Sequence, residues 1–191
     1  MESVDLDQFK GEQIHRLHAD AFFRLHDIGA FEGERVELLD GLLVGMIDPD
    51  PPHVWIVARI LERLILQTRD HAVTVLTQGP VTMSSVSVPQ PDICVVPKQV
   101  GFKRPFGGVL VIEVSDSSLK KDRDIKVPIY AKANVPEYWI VDINHDCVHV
   151  YTDPHEGGYR TVTVVGRDGA LRPRQLPGVE ISVNELLDPA A

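Results

Sequence analysis

The chain has 191 residues, and its 19 Lys and Arg residues against 28 Asp and Glu residues give a formal net charge of −9. This length suits one domain with a sizeable core, and a hydrophobic content of 43% with 25% charged residues excludes a wholly disordered chain. The acidic balance by itself argues against a nucleic-acid substrate, because proteins that neutralise phosphates usually present a basic face.

The first part of the chain predicts two helices and a hairpin. Apolar residues at three- and four-residue steps predict a helix over about residues 12–28. The run RVELLDGLLVGM contains two short apolar segments joined by Asp40-Gly41, a dipeptide that favours a tight hairpin turn. The Asp-Pro-Pro sequence at 50–52 is typical of a helix start, and the apolar spacing extends that helix to about residue 67.

The middle of the chain changes to strand-like patterns and then to a helix. Alternating or continuous apolar runs predict strands at Val73–Val75, Val81–Ser85, Asp92–Val96 and Gly108–Val114. A helical segment follows over about residues 118–133. Pro128 within it predicts either a kink or a second short helix that starts near this residue. Asn134 suits the left-handed residue that ends it.

The last part of the chain predicts three more strands and a short helix. The strands lie at Glu137–Asp142, Cys147–Tyr151 and Tyr159–Val165, and the helix lies at Val183–Leu187. The whole order predicts a mixed α/β (α+β) fold, in which helices flank a mixed sheet and an N-terminal helix and hairpin precede it. We expect one domain over residues 1–191.

The sequence also predicts a cytoplasmic protein. Cys94 and Cys147 have no paired spacing that would form a disulfide framework. The first residues are acidic and lack the basic-then-apolar order of a signal peptide. No run approaches the apolar length of a membrane span, so we expect no membrane association.

Two acids and a lysine suggest a chemical site. Asp92 opens a predicted strand, Glu113 lies in the apolar run VLVIEV, and Lys126 lies in the helix that follows. A carboxylate in a buried strand is costly unless it is paired, protonated or bound to a cation. Two such acids on neighbouring strands could hold Mg²⁺, with a lysine facing it. By spacing alone, a Glu that caps a helix or pairs with an Arg is the commoner alternative.

The run VLVIEVSDSSLKKDRDIKVPIYAKANVPEYWIVD, with the upstream VELLDG and PDICVV, resembles the Uma-two family. That family is a divergent branch of the PD-(D/E)xK restriction-nuclease superfamily. The resemblance covers about residues 30 to 152. It implies a restriction-endonuclease-like core and metal-dependent hydrolysis of DNA by an activated water.

The resemblance assigns expected roles to three residues. Asp92 matches the aspartate of the superfamily motif, and Glu113 matches its second acid. Ser115 occupies the position where the general pattern has lysine. In the Uma-two pattern this lysine has moved to the following helix, where Lys126 aligns.

Four further residues are candidates for accessory roles. Glu37 matches a recurring family glutamate, which implies either a further metal ligand or a partner for an Arg. His53 lies where the family tends to have histidine, although a helix-capping or surface histidine is the commoner case. Asp122 shares a helical face with Lys126 and could orient its ammonium group. Tyr130 lies one turn after Lys126, where it either contacts the site or packs in the core.

The charge is unevenly distributed along the chain. Eight basic and four acidic residues between Lys98 and Lys132 give +4, and the remainder carries −13. A basic rim beside two metal-binding carboxylates suits a phosphodiester substrate. We therefore expect substrate contacts from Lys120, Lys121 and Arg123.

A second group of residues has metal-ligand chemistry. His145, Cys147 and His149 share strand parity and could in principle hold Zn²⁺. The turn expected at His145 breaks that geometry, so the sequence argues against a metal there.

The leading hypothesis is a DNA endonuclease that depends on Mg²⁺ or Mn²⁺, needs no organic cofactor and forms a homodimer. Asp92 and Glu113 would bind the metal, Glu37 is a possible third ligand, and Lys126 would assist the water or the developing charge. One alternative is a catalytically silent protein that keeps the nuclease fold as a binding or assembly module. Another is a phosphodiesterase that acts on RNA or on smaller substrates.

Overall fold

The structure is a computed structural model that describes residues 10–99 and 103–188. Its elements in chain order are α1 (Ala19–Asp27), β1 (Val36–Leu39), β2 (Leu42–Gly45), α2 (Pro51–Thr68), β3 (Val73–Thr77), β4 (Ile93–Pro97), β5 (Leu110–Ser115), α3 (Leu119–Lys121), a π-helical turn (Asp122–Lys126), α4 (Val127–Lys132), β6 (Glu137–Asp142), β7 (Cys147–His155), β8 (Gly158–Gly166), β9 (Ala170–Leu171), β10 (Ile181–Ser182) and α5 (Val183–Leu187).

The expected mixed sheet flanked by helices is confirmed. Six strands pair in the order β3-β4-β5-β6-β7-β8, and β5 and β6 are the parallel pair among otherwise antiparallel neighbours. Every residue of β5 and β6 is buried. Their run of branched and aromatic side chains reflects a central position with a helical layer on each face.

The two faces of the sheet have separate cores. On one face, α2 packs Ile60 and Leu64 against a cluster that includes Trp139 of β6. On the other face, α4 packs Tyr130 against a cluster that includes Tyr138. Because successive residues of β6 point to opposite faces, one strand serves both cores.

The hairpin prediction is confirmed by the backbone of its turn. Asp40 and Gly41 both have positive φ, at 48° and 81°, as a two-residue turn between twisted strands requires. β1 and β2 form a separate two-stranded sheet, and Leu38 pairs with Val88 to join it to the rest of the fold.

Three predictions about helix ends are confirmed in detail. Asp50 caps α2 by accepting a hydrogen bond from the backbone N–H of His53 at 3.2 Å. Pro128 lies in the first turn of α4, where a missing N–H costs nothing. Asn134 follows the end of α4 with a φ of 54°.

Two sequence predictions were wrong about regular structure. The first helix begins at Ala19 instead of near residue 12, because Leu17 and Ala19 donate their N–H groups to Gly41 and Ser85. The run Val81–Ser85 forms isolated bridges and no strand. The apolar and polar residues of this run alternate because Val81 and Met83 pack in the core from a loop.

None of the helices among residues 10–99 and 103–188 is long and apolar enough to cross a membrane.

The hairpin turn yields a stability prediction. In Gly41→Ala, a left-handed conformation is imposed on a residue with a Cβ, and that Cβ would meet the Cβ of Arg16. We expect a loss of about 1–2 kcal/mol in the free energy of unfolding, measured by urea denaturation. The control is Gly166→Ala, which places its Cβ in open space. Equal stability of both variants with the native protein would contradict the turn assignment.

Candidate active site

A cleft of about 420 Å³ opens beside the ends of β4 and β5. Its lining includes Asp92, Glu113 and Lys126. Asp92 directly precedes β4, and Glu113 lies one residue beyond Ile112, which pairs with Ile93 in the antiparallel β4–β5 register. Chain reversal between these strands therefore brings together two acids that are 21 positions apart in the sequence.

Asp92 is held by two partners. Its Oδ2 accepts a hydrogen bond from the backbone N–H of Val114 at 2.8 Å. The same oxygen lies 3.1 Å from Nε2 of His53, in the first turn of α2. The pKa of His53 is raised overall: burial lowers it, but the hydrogen bond and charge of Asp92 and the charge of Asp50 outweigh that effect.

Lys126 is surrounded by carboxylates. Its Nζ donates to Oε1 of Glu113 at 2.9 Å, and it lies 3.3 Å from Oε2 of Glu37 and 3.8 Å from Oδ1 of Asp122. Only 2% of the Lys126 side chain is exposed. Burial alone would lower the pKa of Lys126, but the three carboxylates raise it, so this side chain remains an ammonium ion.

Glu37 is fully buried and reaches the site from β1. Besides Lys126, its carboxylate binds Nζ of Lys121 at 3.0 Å and accepts the backbone N–H of Gln90 at 3.3 Å. Glu37 is not one of the described residues that line the cleft. Glu37 therefore forms ion pairs with two lysines. The sequence had predicted either an Arg partner or a metal for this residue.

Asp122 is fixed by two hydroxyl groups. Its Oδ2 accepts hydrogen bonds from Oγ of Ser115, at 2.6 Å, and from Oγ of Ser118. Ser115 is the residue that departs from the general motif of the resemblance. Ser115 binds the carboxylate of Asp122, and that carboxylate faces Lys126. Asp122 therefore lies between the serine and the lysine.

Tyr130 contacts the site in addition to packing in the core. Its hydroxyl donates to Oε1 of Glu113 at 2.7 Å. Both this hydrogen bond and that from Lys126 end on the same oxygen of Glu113. Tyr130 therefore limits the rotation of the Glu113 carboxylate.

The three basic residues expected to bind substrate are not brought together. Lys121 lines the cleft. Lys120 and Arg123 are exposed, and Arg123 pairs with Asp124 at 3.3 Å. Arg35, which the sequence did not single out, is half-buried and does line the cleft. Only its position beside the VELLDG run could have suggested it.

The donors of the cleft suit a hard divalent cation. Four carboxylates, those of Glu37, Asp92, Glu113 and Asp122, are each at most 8% exposed, and Lys126 is the ammonium buried among them. Burial raises the pKa of Glu113 to about 8; Lys126 opposes this rise, and the charges of Asp122, Asp92 and Glu37 add to it. Oxygen ligands in a negative environment are those that Mg²⁺ and Mn²⁺ bind. Three acids of this set, Asp92, Glu113 and Asp122, line the cleft together with Lys126, and both hydroxyl contacts of Asp122 occupy its Oδ2.

Comparisons with known proteins found a matching family model and a structure of similar fold. A family model described as "Uma2: Putative restriction endonuclease" matches residues 19–184. A crystal structure of a "putative nuclease" from Anabaena variabilis superposes with a TM-score of 0.73 at 16% identity, covering 90% of this chain and 97% of that one. No curated protein matches the sequence. At that identity the structural likeness shows a shared fold.

The raised pKa of Glu113 predicts how stability varies with pH. Between its ordinary pKa of 4.5 and its folded value of about 8, the folded protein keeps a proton that the unfolded chain has lost. The stabilisation that Glu113 contributes to the free energy of unfolding is therefore fully present below pH 4.5 and is lost as the pH rises to about 8. In EDTA, we expect the free energy of unfolding to fall over this range, and Glu113→Gln to flatten the slope.

Urea denaturation at several pH values measures both slopes. Glu62→Gln, an exposed carboxylate on α2, is the control. If Glu113→Gln retained the native slope, the titration would belong to another group.

Proposed function

This chain belongs to the Uma2 family, and from that membership and the cleft we propose that it is a divalent-metal-dependent endonuclease that hydrolyses DNA phosphodiester bonds. The observation that carries the proposal is that Asp92, Glu113 and Lys126 meet in one cleft. The four buried carboxylates beside Lys126 support a divalent cation as a further partner of these acids.

Asp92 and Glu113 would hold Mg²⁺ or Mn²⁺. The named contacts of Asp92 use Oδ2, and those of Glu113 use Oε1. Oδ1 and Oε2 are therefore the proposed ligand atoms. A bound cation would supply Lewis acidity and lower the pKa of an attacking water. His53 and Tyr130 are positioning residues in this scheme, because each fixes the orientation of one acid.

Lys126 would stabilise negative charge and position water. The carboxylates around it raise its pKa, which favours a role as a proton donor over one as a general base, since an ammonium has no lone pair to accept a proton. Held among Glu37, Glu113 and Asp122, it is preorganised to donate to the attacking water or to a phosphate oxygen on which charge develops.

DNA as the substrate follows from the family membership, and the cleft adds Arg35 and Lys121 as cationic lining residues. Because six acids also line the cleft, binding of a phosphodiester there would depend on the divalent cation. Lys120 and Arg123 are exposed on the neighbouring helical segment and would contact more distant phosphates. A homodimer, which would place two such clefts across a duplex, stays a prediction.

The proposed metal ligands give the primary test. Purified protein with Mg²⁺ or Mn²⁺ should nick supercoiled DNA, and Asp92→Asn and Glu113→Gln should each abolish nicking because the ion loses a ligand. Gel assays on supercoiled and single-stranded DNA measure this loss. Asp20→Asn in α1 changes an exposed acid and should cleave like the native protein.

Two outcomes would contradict the proposal. Cleavage that persists in Asp92→Asn and Glu113→Gln would place the chemistry elsewhere. Folded protein that neither cleaves DNA nor changes its melting temperature with Mg²⁺ would favour a silent binding module with this fold.

Lys126 gives a separate prediction. Lys126→Gln should lower the cleavage rate about 10²–10³-fold, the usual cost of removing one preorganised donor to a transition state. DNA affinity measured with Ca²⁺ in place of Mg²⁺ should change little, because Lys126 is buried and acts on the reacting group. Lys120→Gln is the control, and it should weaken DNA binding without the rate loss. Equal effects on affinity and rate in Lys126→Gln would indicate a substrate-binding role instead.

A further inference from the structure

A second polar cluster lies at the end of β6 and the start of β7. A carboxylate oxygen of Asp142, the sulfur of Cys147 and a ring nitrogen of His149 all lie within 4.8 Å of one another. His149 pairs with Ile140, which in turn pairs with Glu113, so two strand spacings separate the cluster from the acids of the cleft.

The β6–β7 register explains why these three side chains meet. Asp142 pairs directly with Cys147 across the antiparallel hairpin, and His149 lies two residues further along β7. Alternation places Cys147 and His149 on one face, the face that also carries Asp142. Asp146, with a φ of 53°, closes the turn between the strands.

Two distances within the cluster are compatible with a metal site. Nε2 of His149 lies 3.4 Å from Oδ2 of Asp142 and 3.8 Å from Sγ of Cys147, both long for strong hydrogen bonds. Tetrahedral zinc binds N and O at about 2.0 Å and S at about 2.3 Å. In that geometry, the N and O ligand atoms are about 3.3 Å apart and the N and S ligand atoms about 3.5 Å apart. Both distances from Nε2 of His149 are therefore within a few tenths of an ångström of that geometry.

We propose that Asp142, Cys147 and His149 form a second metal site, which takes Zn²⁺ or Co²⁺. A thiolate and an imidazole are ligands for a borderline ion, whereas the carboxylates of the cleft suit Mg²⁺ or Mn²⁺. On binding, the thiol loses its proton to solvent and the sulfur coordinates as thiolate.

His145 acts as a positioning residue. Its Nδ1 lies 2.9 Å from Oδ2 of Asp142, and its backbone N–H donates to Oδ1 at 3.1 Å. The turn at His145 was expected to break a site made of His145, Cys147 and His149. It instead brings Asp142 to the cluster as the third ligand, and a water would complete a tetrahedron.

The proposed ion would stabilise a turn next to the cleft. Nδ2 of Asn144 donates to the backbone oxygen of Asp116 at 2.7 Å, and Asp116 lines the cleft. The N–H of Ile143 donates to Ser115 at 3.1 Å. Coordination between β6 and β7 would therefore fix the turn on which these two contacts depend.

Titration with Co²⁺ tests the proposal directly. The native protein should bind one Co²⁺ with a thiolate-to-cobalt charge-transfer band, which Zn²⁺ should displace, and Zn²⁺ should raise its melting temperature. Cys147→Ser should lose the band, and His149→Gln should bind Co²⁺ at least 10-fold more weakly. His145→Ala should keep the band but bind about 10–100-fold more weakly.

Two matched variants separate this site from other thiols and from the cleft. Cys94→Ser alters the other cysteine, which is buried in the core and has a pKa raised to about 12, and it should keep the band. Asp92→Asn combined with Glu113→Gln removes the proposed nuclease ligands and should also keep it. No band in the native protein, a band that survives in Cys147→Ser, or a band lost with the cleft acids would overturn the proposal. None of these results depends on DNA cleavage.

Discussion

The structure depends on one buried ammonium group, that of Lys126, and on the carboxylates around it. An ammonium so deeply buried is unstable without opposite charges, and removing one partner of a buried ion pair typically costs about 3–5 kcal/mol. Glu113 comes from the central sheet, Asp122 from the π-helical turn, and Glu37 from the N-terminal hairpin. Lys126, itself in the π-helical turn, thus connects that turn to the central sheet and to the N-terminal hairpin.

This constraint explains several local features. The hairpin must lie against the sheet for Glu37 to reach both Lys121 and Lys126. The helical segment after β5 changes from α to π geometry over Asp122–Lys126, the segment that carries two of the charged groups. π-Helical turns often occur at functional sites because their cost is tolerated where a side chain must be placed accurately.

The same arrangement leaves an electrostatic imbalance that suits the proposed chemistry. Four buried carboxylates share the site with one buried ammonium group, and burial, together with the charges of Asp122, Asp92 and Glu37, raises the pKa of Glu113 against the effect of Lys126. Buried acids at these positions suit the binding of a divalent cation. Apolar residues in their place would give a more stable protein without that function. The Asp142–Cys147–His149 cluster differs in donor chemistry, so the two proposed sites would select different ions.

By itself, the sequence determined the elements whose cause is local. The Asp40-Gly41 turn, the Asp50 cap, Pro128 at the start of α4 and the apolar runs of β5 and β6 follow from backbone conformation and burial. Motif spacing also pointed to Asp92, Glu113 and Lys126.

Only the tertiary structure decided which partners these and other residues have. It pairs Glu37 with lysines and Asp122 with Ser115. It brings Arg35, and not Arg123, to the cleft. It also places Asp142 beside Cys147 and His149. These contacts join residues that are distant along the chain or on separate elements, and register and packing, which no local pattern encodes, bring them together.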